Sequence, residues 1–192
     1  DLIFRKVKFW KRLGLMSMVR SFSVLAAICV VLLVIVLGTR ESGVDRMTTH
    51  LVGAAAPPVA GNTIGGEFWN LDDERGRWVL VNFFSTTCIP CVREHPELLS
   101  FARSQIGDKG VKIVSIAFDD KSSSVETFFE KNGGGWPVLA KDTGRIAVDW
   151  GVIAVPESYL VSPTGFVAAK VIGGVKRSEI EELLSKASDL SL

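Results

Sequence analysis

The sequence is short of the residues from which most metal centres are built. Its 192 residues include three cysteines and two histidines. A zinc or copper site of the usual kind would need a second cysteine pair or a histidine cluster. His95 follows Cys91 by four residues, but no further ligand accompanies it. No bound metal is therefore expected, and His95 is predicted to be a solvent-exposed helix residue.

Most of the chain also lacks a net positive charge. The formal net charge is +1, but residues 1–40 hold seven basic and one acidic residue, whereas residues 41–192 hold 15 basic and 20 acidic residues. The acidic part has no basic patch interleaved with aromatic residues, which argues against nucleic-acid binding. The basic excess precedes an apolar stretch, where it is typical of a membrane topology signal.

Charge is absent altogether from residues 21–38. As a helix these residues would span roughly 27 Å, enough to cross the hydrocarbon core of a membrane. The positive-inside rule then predicts a cytoplasmic segment over 1–20, a transmembrane anchor over 21–38 and the remainder outside. A cleaved signal peptide is the alternative. Both place the rest of the chain on the extracytoplasmic side of the cytoplasmic membrane.

Beyond the apolar stretch, the sequence predicts a linker over 39–56 and one compact domain over 57–192. Strands are predicted over 63–71 (with a turn at Gly65-Gly66), 78–84, 111–118, 136–140, 157–161 and 166–172. Helices are predicted over 90–104, 122–131, 143–150 and 178–187. Alternating strands and helices that end in a hairpin indicate an α/β fold with a mixed sheet and helices on both faces.

A Cys-x-x-Cys motif follows the predicted strand 78–84. Cys88 is placed where the strand gives way to a helix, whose free N–H groups and positive dipole end favour a thiolate. Cys91, one helical turn later, is close enough to form a disulfide with it. So short a loop removes little chain entropy from the unfolded state. The motif therefore predicts redox chemistry rather than a structural crosslink.

Residues 83–96 (FFSTTCIPCVREHP) resemble the active site of the membrane-anchored thioredoxin-like proteins of the TlpA/ResA type. That group includes the reductases of cytochrome c maturation. The similarity extends over 57–187 and includes residues 151–160 (GVIAVPESYL). It implies a thioredoxin-like three-layer sandwich with a mixed central sheet, preceded by one N-terminal transmembrane helix. It also implies a cis peptide bond between Val155 and Pro156, facing the cysteines.

The resemblance implies thiol–disulfide exchange that needs no cofactor beyond a redox-active Cys88–Cys91 disulfide. Cys88 is expected to attack the partner's disulfide and Cys91 to resolve the mixed disulfide. The residues expected beside a bound substrate are Thr87, Val155, Pro156 and Glu157. The implied partners are exported protein disulfides, such as those of apocytochrome c, and a membrane thiol that donates electrons.

Glu94 follows Cys91 by three residues and can face the cysteine pair from the same side of the helix. In the relatives a glutamate at this place tunes the cysteines and handles protons, since a nearby carboxylate can accept the proton of a thiol. An ordinary exposed glutamate is the alternative. Asn82 stands where cytoplasmic thioredoxins keep a buried acid, which shifts proton handling toward Glu94. Thr87 replaces the tryptophan that usually precedes the first cysteine, so partner choice and redox potential do not follow from the resemblance.

Three other functions stay open. A protein of the same fold can instead act as an oxidant that forms disulfides. A metal-delivery or docking module would use the two sulfurs without redox turnover. Peroxiredoxins share the fold and place Pro-x-x-x-Thr/Ser-x-x-Cys around the reactive cysteine. Here Ser85 fits the hydroxyl position of that motif, but Val81 replaces its proline.

Overall fold

The computed structural model describes residues 25, 28–35, 51–105, 107 and 110–190. The chain divides into two compact units, residues 1–43 and 44–192. In the first unit, residues 25 and 28–35 are described, and they are helical and exposed. Within the described ranges, no helix has the length and apolar character needed to cross a membrane. The predicted segment 1–20 and half of the predicted anchor 21–38 lie outside the described residues.

The second unit is built on a five-stranded mixed sheet with a small hairpin beside it. In chain order the strands are β1 (Ala60–Asn62), β2 (Phe68–Asn70), β3 (Val79–Phe84), β4 (Lys112–Ala117), β5 (Val138–Leu139), β6 (Glu157–Val161) and β7 (Val167–Ile172). The large sheet has the order β5-β4-β3-β6-β7, and β1 pairs with β2. β3 is parallel to β4 and antiparallel to β6. Every residue of β3 and β6 is buried, which explains why β3 is apolar at every position except Asn82.

Helices cover both faces of this sheet, as the sequence predicted. They are α1 (Ile89–Ser104), α2 (Ser122–Asn132), α3 (Gly144–Asp149) and α4 (Arg177–Leu190). Alternate residues of β3 enter different core clusters, since side chains along a strand point to opposite faces. Phe83 packs in a cluster with Ala147 of α3. Leu80 packs with residues of α1 and α4, and Phe84 with residues of α1 and α2. These layers form the thioredoxin-like sandwich.

The region before β3 differs from the prediction in two ways. The predicted strand over 63–71 is displaced, because β1 and β2 flank a turn in which Gly66 has a φ of +88°. The predicted linker 39–56 ends early, because residues 51–56 pair with the edge of the sheet. Val52 and Ala55 form bridges to Val167 and Phe166, and Leu51 is buried. The backbone groups of the edge strand β7 thereby gain partners.

Candidate active site

Cys88 occupies the N-cap of α1, at the end of the short loop that follows β3. Its sulfur accepts a hydrogen bond of 3.2 Å from the backbone N–H of Cys91. Pro90 lies in the first turn of the helix, where a missing N–H leaves no intrahelical bond unmade. The sulfur therefore stands at the positive end of the helix dipole, a position that favours a thiolate over a thiol. The prediction that Cys88 lies between the strand and the start of the helix is confirmed.

The two cysteines of the motif form a disulfide and differ in exposure. Their Cα atoms are 5.3 Å apart. Cys88 is half-buried, whereas Cys91 is 5% exposed and packs in the cluster that contains Phe84 and Val125. A protein partner can therefore reach the sulfur of Cys88 but not that of Cys91. This asymmetry is what an attacking and a resolving cysteine require.

The segment before β6 meets Cys88 from the other side. The peptide bond between Val155 and Pro156 is cis, as the resemblance implied. The carbonyl oxygen of Val155 lies 3.5 Å from the Cys88 sulfur, although 67 residues separate the two in sequence. The sheet explains this proximity, since Glu157, which begins β6, pairs with Phe83 near the end of β3. Val155 is half-buried, and Pro156 is buried.

Glu94 lies inside the protein, one helical turn after Cys91. It is 3% exposed, so the exposed alternative is wrong. Its carboxylate accepts hydrogen bonds from the Asn82 amide at 2.6 Å and from the Val175 backbone N–H at 3.0 Å. Burial raises the pKa of Glu94 to about 7, against the opposing effect of these two bonds. The site thus contains a carboxyl group that can gain or lose a proton near neutral pH.

A chain of buried polar groups supports Glu94 from the sheet. The Asn82 amide also donates to the Ser158 hydroxyl at 3.1 Å, and the Ser115 hydroxyl donates to the Asn82 carbonyl oxygen at 3.4 Å. The Trp136 indole in turn donates to Ser115 at 2.9 Å. Asn82 pairs with both serines in the register of the sheet. Sequence analysis missed these serines, although a polar residue inside an apolar strand was a usable signal.

His95 is buried, so its predicted solvent exposure is wrong. It is 5% exposed, and its Nε2 atom lies 2.9 Å from the Gly133 carbonyl oxygen. Its ring packs edge-on against Phe128 and Phe129 of α2, with centroids 4.9 and 5.3 Å away. Burial lowers the pKa of His95, and hydrogen bonding to the carbonyl groups of residues 132–133 only partly offsets this. Among the described residues, no cluster of three or more potential ligands could hold a metal.

Asp120 is a site residue that sequence analysis did not find. Its Oδ2 atom accepts hydrogen bonds from the Thr86 N–H at 2.6 Å, the Thr86 hydroxyl at 2.7 Å and the Ser85 hydroxyl at 3.1 Å. Partial burial alone would raise the pKa of Asp120, but hydrogen bonds from Thr86, Lys121 and Ser85 outweigh it and lower that pKa. Because β3 and β4 are parallel, their carboxyl ends meet at one edge, where Asp120 fixes the loop that carries Cys88.

The remaining predicted substrate contacts, Thr87 and Glu157, are separated by the structure. Thr87 is exposed immediately before Cys88, and its hydroxyl lies 3.0 Å from that of Ser85. Glu157 is 2% exposed, and its carboxylate forms an ion pair of 2.8 Å with Lys170. The Glu157 side chain is therefore not available to a substrate in this structure, whereas Thr87 and the Val155 carbonyl border the accessible sulfur.

Comparisons with known proteins agree with this geometry. Residues 52–170 match the model of the AhpC/TSA family. Thiol:disulfide interchange protein HelX of Rhodobacter capsulatus is 29% identical over 157 residues, which cover 78% of this chain and 86% of HelX. Thiol-disulfide oxidoreductase ResA of Bacillus thuringiensis is 30% identical over 135 residues, covering 70% and 78%.

A solved structure also matches the sandwich. The thioredoxin domain of a thiol-disulfide oxidoreductase from Bacteroides vulgatus superposes with a TM-score of 0.62 at 26% identity, covering 72% of this chain and 98% of that domain. The relatives are named for thiol–disulfide interchange, and this chain holds a Cys-x-x-Cys disulfide at the start of α1. The chain belongs to the AhpC/TSA family and is a thiol-disulfide oxidoreductase of thioredoxin-like fold, similar to proteins named for thiol:disulfide interchange.

Proposed function

We propose that this oxidoreductase reduces disulfides of exported proteins, such as apocytochrome c, outside the cytoplasmic membrane. The observation that carries the proposal is the half-exposed Cys88 at a helix N-terminus, with Cys91 and Glu94 buried behind it. The partner class is supported by the similarity to proteins named for thiol:disulfide interchange. The location is supported by the uncharged residues 21–38 and the basic residues before them.

The reaction begins from the reduced cysteine pair. The Cys88 thiolate attacks one sulfur of the partner's disulfide, and the other partner sulfur leaves as a thiolate that takes up a proton. Cys91 passes its proton toward Glu94, whose pKa of about 7 suits a proton acceptor near neutral pH. The Cys91 sulfur then attacks Cys88, which forms the intramolecular disulfide and releases the second partner thiol. Two electrons have moved to the partner, and a membrane thiol restores the reduced pair.

The Val155 carbonyl gives a bound partner a second point of contact. It lies 3.5 Å from the reacting sulfur and is half-buried at the surface. An extended segment next to the partner's cysteine can donate a backbone N–H to it, in the manner of strand addition. The contact needs no particular side chain, which suits an enzyme that acts on unfolded exported chains.

Trapping of the mixed disulfide tests the exchange step and the partner class together. Full-length Cys91→Ser, expressed in cells and quenched with acid, is expected to accumulate disulfide-linked adducts that a reductant releases. Cys88→Ser is expected to form none, and Cys29→Ser, which removes the free cysteine, is the matched control. Mass spectrometry of the adducts identifies the partners. If Cys91→Ser yields no adduct above the Cys88→Ser background, the proposal fails.

The direction of electron flow and the side of the membrane need separate measurements. An equilibrium potential of the Cys88–Cys91 pair well below about −200 mV against glutathione supports a reductase, whereas a value near −120 mV supports the disulfide-forming alternative. Labelling of Cys88 by a membrane-impermeant maleimide in intact cells is expected if the domain is exported. Labelling that appears only after lysis would contradict the location.

A further inference from the structure

Lys170 is a buried cation that the exchange mechanism does not use. It lies on β7, and its side chain is 5% exposed. Its Nζ atom is 2.8 Å from the Glu157 carboxylate, whose side chain is 2% exposed, and 5.0 Å from the centroid of the Tyr159 ring. A buried ion pair loses its hydration and is often no more stabilising than apolar residues of the same volume. Stability alone therefore does not account for this pair.

The sheet register places the three side chains together. Tyr159 of β6 lies directly opposite Lys170 of β7, and Glu157 precedes Tyr159 by two residues. Residues two apart on a strand share a face, so all three side chains lie on the side of the sheet that α3 covers. Diagonal neighbours in adjacent strands are within reach of long side chains, which is how Lys170 meets Glu157.

Two of these side chains bind the segment that leads to the active site. The second carboxylate oxygen of Glu157 accepts a hydrogen bond of 3.4 Å from the Ile153 backbone N–H. The Tyr159 hydroxyl lies 2.8 Å from the Trp150 carbonyl oxygen and 3.0 Å from Glu157. The segment is thus held at its start and at its middle by groups of β6. Two residues after Ile153 it reaches Val155.

We propose that Glu157 and Tyr159 are positioning residues, which hold segment 150–155 so that the Val155 carbonyl stands opposite the Cys88 sulfur. Lys170 is the ion-pair partner of the buried Glu157 carboxylate. The inference rests on the proposed exchange function and deepens it. One Glu157 oxygen accepts from the Ile153 N–H, and the other lies within reach of the Tyr159 hydroxyl, whose single hydrogen is shared between Glu157 and the Trp150 carbonyl oxygen. The carbonyl accepts the hydrogen of the Cys88 thiol in the reduced enzyme and a backbone N–H of a bound partner.

Two double variants without the buried charges distinguish the positioning of segment 150–155 from the mere burial of an ion pair. Glu157→Leu with Lys170→Met removes both charges and both acceptor oxygens, whereas Glu157→Gln with Lys170→Met removes the charges but keeps an oxygen for Ile153. Neither leaves a buried charge unpaired. The full chain with each pair of substitutions is assayed for insulin disulfide reduction. Its reduced form, with Cys29→Ser added to remove the free exposed cysteine, is assayed for alkylation by iodoacetamide at pH 7, which then reports on the accessible Cys88.

The Leu variant is expected to raise KM for insulin by about threefold to tenfold, the effect of one hydrogen bond of ordinary net strength, with a smaller change in kcat. Its Cys88 is expected to react with iodoacetamide about threefold to tenfold faster, because the thiol has lost its acceptor and the thiolate its repelling carbonyl dipole. The Gln variant is expected to stay within about twofold of the wild type in both assays, since it retains the bond to Ile153.

Wild-type values for the Leu variant, or equal values for the Leu and Gln variants, would overturn the inference. If the Leu variant does not fold, Tyr159→Phe takes its place. That change removes only the hydroxyl that joins Glu157 to Trp150. Smaller shifts in the same directions are expected, and wild-type values would refute positioning. If the wild-type enzyme does not reduce insulin, the proposed function fails. The alkylation rates of the variants can still be compared in that case, because alkylation needs no disulfide partner.

Discussion

At the scale of single residues, the neighbours Glu94 and His95 on α1 show how burial acts on an acid and a base. Burial raises the pKa of Glu94 to about 7 and lowers the pKa of His95, so both side chains favour their neutral forms. The two shifts make the stability of the fold change with pH in opposite directions. Deprotonation of Glu94 costs free energy as the pH rises, whereas protonation of His95 costs free energy as the pH falls below 6.5.

Glu94 is expected to make the oxidised protein less stable at pH 8 than at pH 5. Its pKa in the folded state lies above the ordinary value of 4.5. Its contribution is therefore most favourable below pH 4.5 and is lost as the pH rises through about 7. A rise from 4.5 to about 7 corresponds to about 3 kcal/mol of unfolding free energy. In urea unfolding between pH 5 and 8, the unfolding free energy of Glu94→Gln should lack this dependence on pH.

The matched control for Glu94 is Glu97→Gln, which makes the same substitution one turn later on α1. Glu97 is half-buried and accepts a hydrogen bond from the Arg177 backbone N–H. The control should lower stability by a nearly constant amount across the range, and its slope against pH should follow the wild type. Parallel curves for Glu94→Gln and the wild type would contradict the pKa shift as the cause.

Sequence could predict the residues whose chemistry is local. Cys88 and Cys91 are three residues apart, and their helix N-terminus follows from the strand before them and Pro90 between them. His95 was wrongly predicted, because its burial depends on Phe128 and Phe129, which come from another helix. Asp120 was missed for a similar reason. Its contact with Thr86 exists only because β3 and β4 are adjacent and parallel, and periodicity does not fix strand neighbours.

At the scale of elements, the loop between β3 and α1 depends on a side chain from the loop that follows β4. Asp120→Ala removes the acceptor of three hydrogen bonds from Ser85 and Thr86. Hydrogen bonds to a charged group contribute more than neutral ones, so a loss of about 1 to 3 kcal/mol of unfolding free energy is expected at pH 7. Because folding lowers the Asp120 pKa, the difference from the wild type should shrink as the pH falls below 3.8.

Denaturant unfolding at pH 7 and at pH 3 measures the contribution of Asp120. Asp73→Ala, at an exposed position of the turn Leu71–Glu74, is the control and should change stability by less than about 0.5 kcal/mol. A loss for Asp120→Ala that is the same at both pH values would show that the charge of the carboxylate does not matter.

The order of elements was predictable where hydrophobic pattern and length agreed. The five strands of the large sheet and the four helices of the domain lie within a few residues of their predicted positions, because buried runs and amphipathic faces leave clear periods. The short hairpin β1–β2 was misplaced. Its strands have three residues each and are partly exposed, so neither a period nor a buried run marks them.

At the scale of the whole molecule, both edges of the large sheet are covered by chain that precedes β3. Thr63 bridges to Leu139, and the Ile64 N–H donates to the Val138 carbonyl at the β5 edge. Segment 51–56 covers the β7 edge. An exposed edge strand can pair with another chain and aggregate, so both contacts protect the domain. Composition suggested a linker over 39–56 because small residues and prolines are typical of linkers, but the last six of those residues belong to the domain.

A chain that begins at Pro57 is therefore expected to be less stable than one that begins at Leu51. The shorter chain loses a buried leucine side chain and backbone hydrogen bonds of 2.8 to 2.9 Å from Gly53 to Val167, from Val167 to Ala54 and from Ala56 to Gly165. Burial of a leucine contributes about 2 kcal/mol and each hydrogen bond about 1 kcal/mol, so a loss of about 3 to 5 kcal/mol is expected. Urea unfolding measures the loss, and light scattering should detect association through the bare β7 edge in the shorter chain alone. Equal stability of the two chains would show that segment 51–56 contacts the sheet without contributing to the free energy of unfolding.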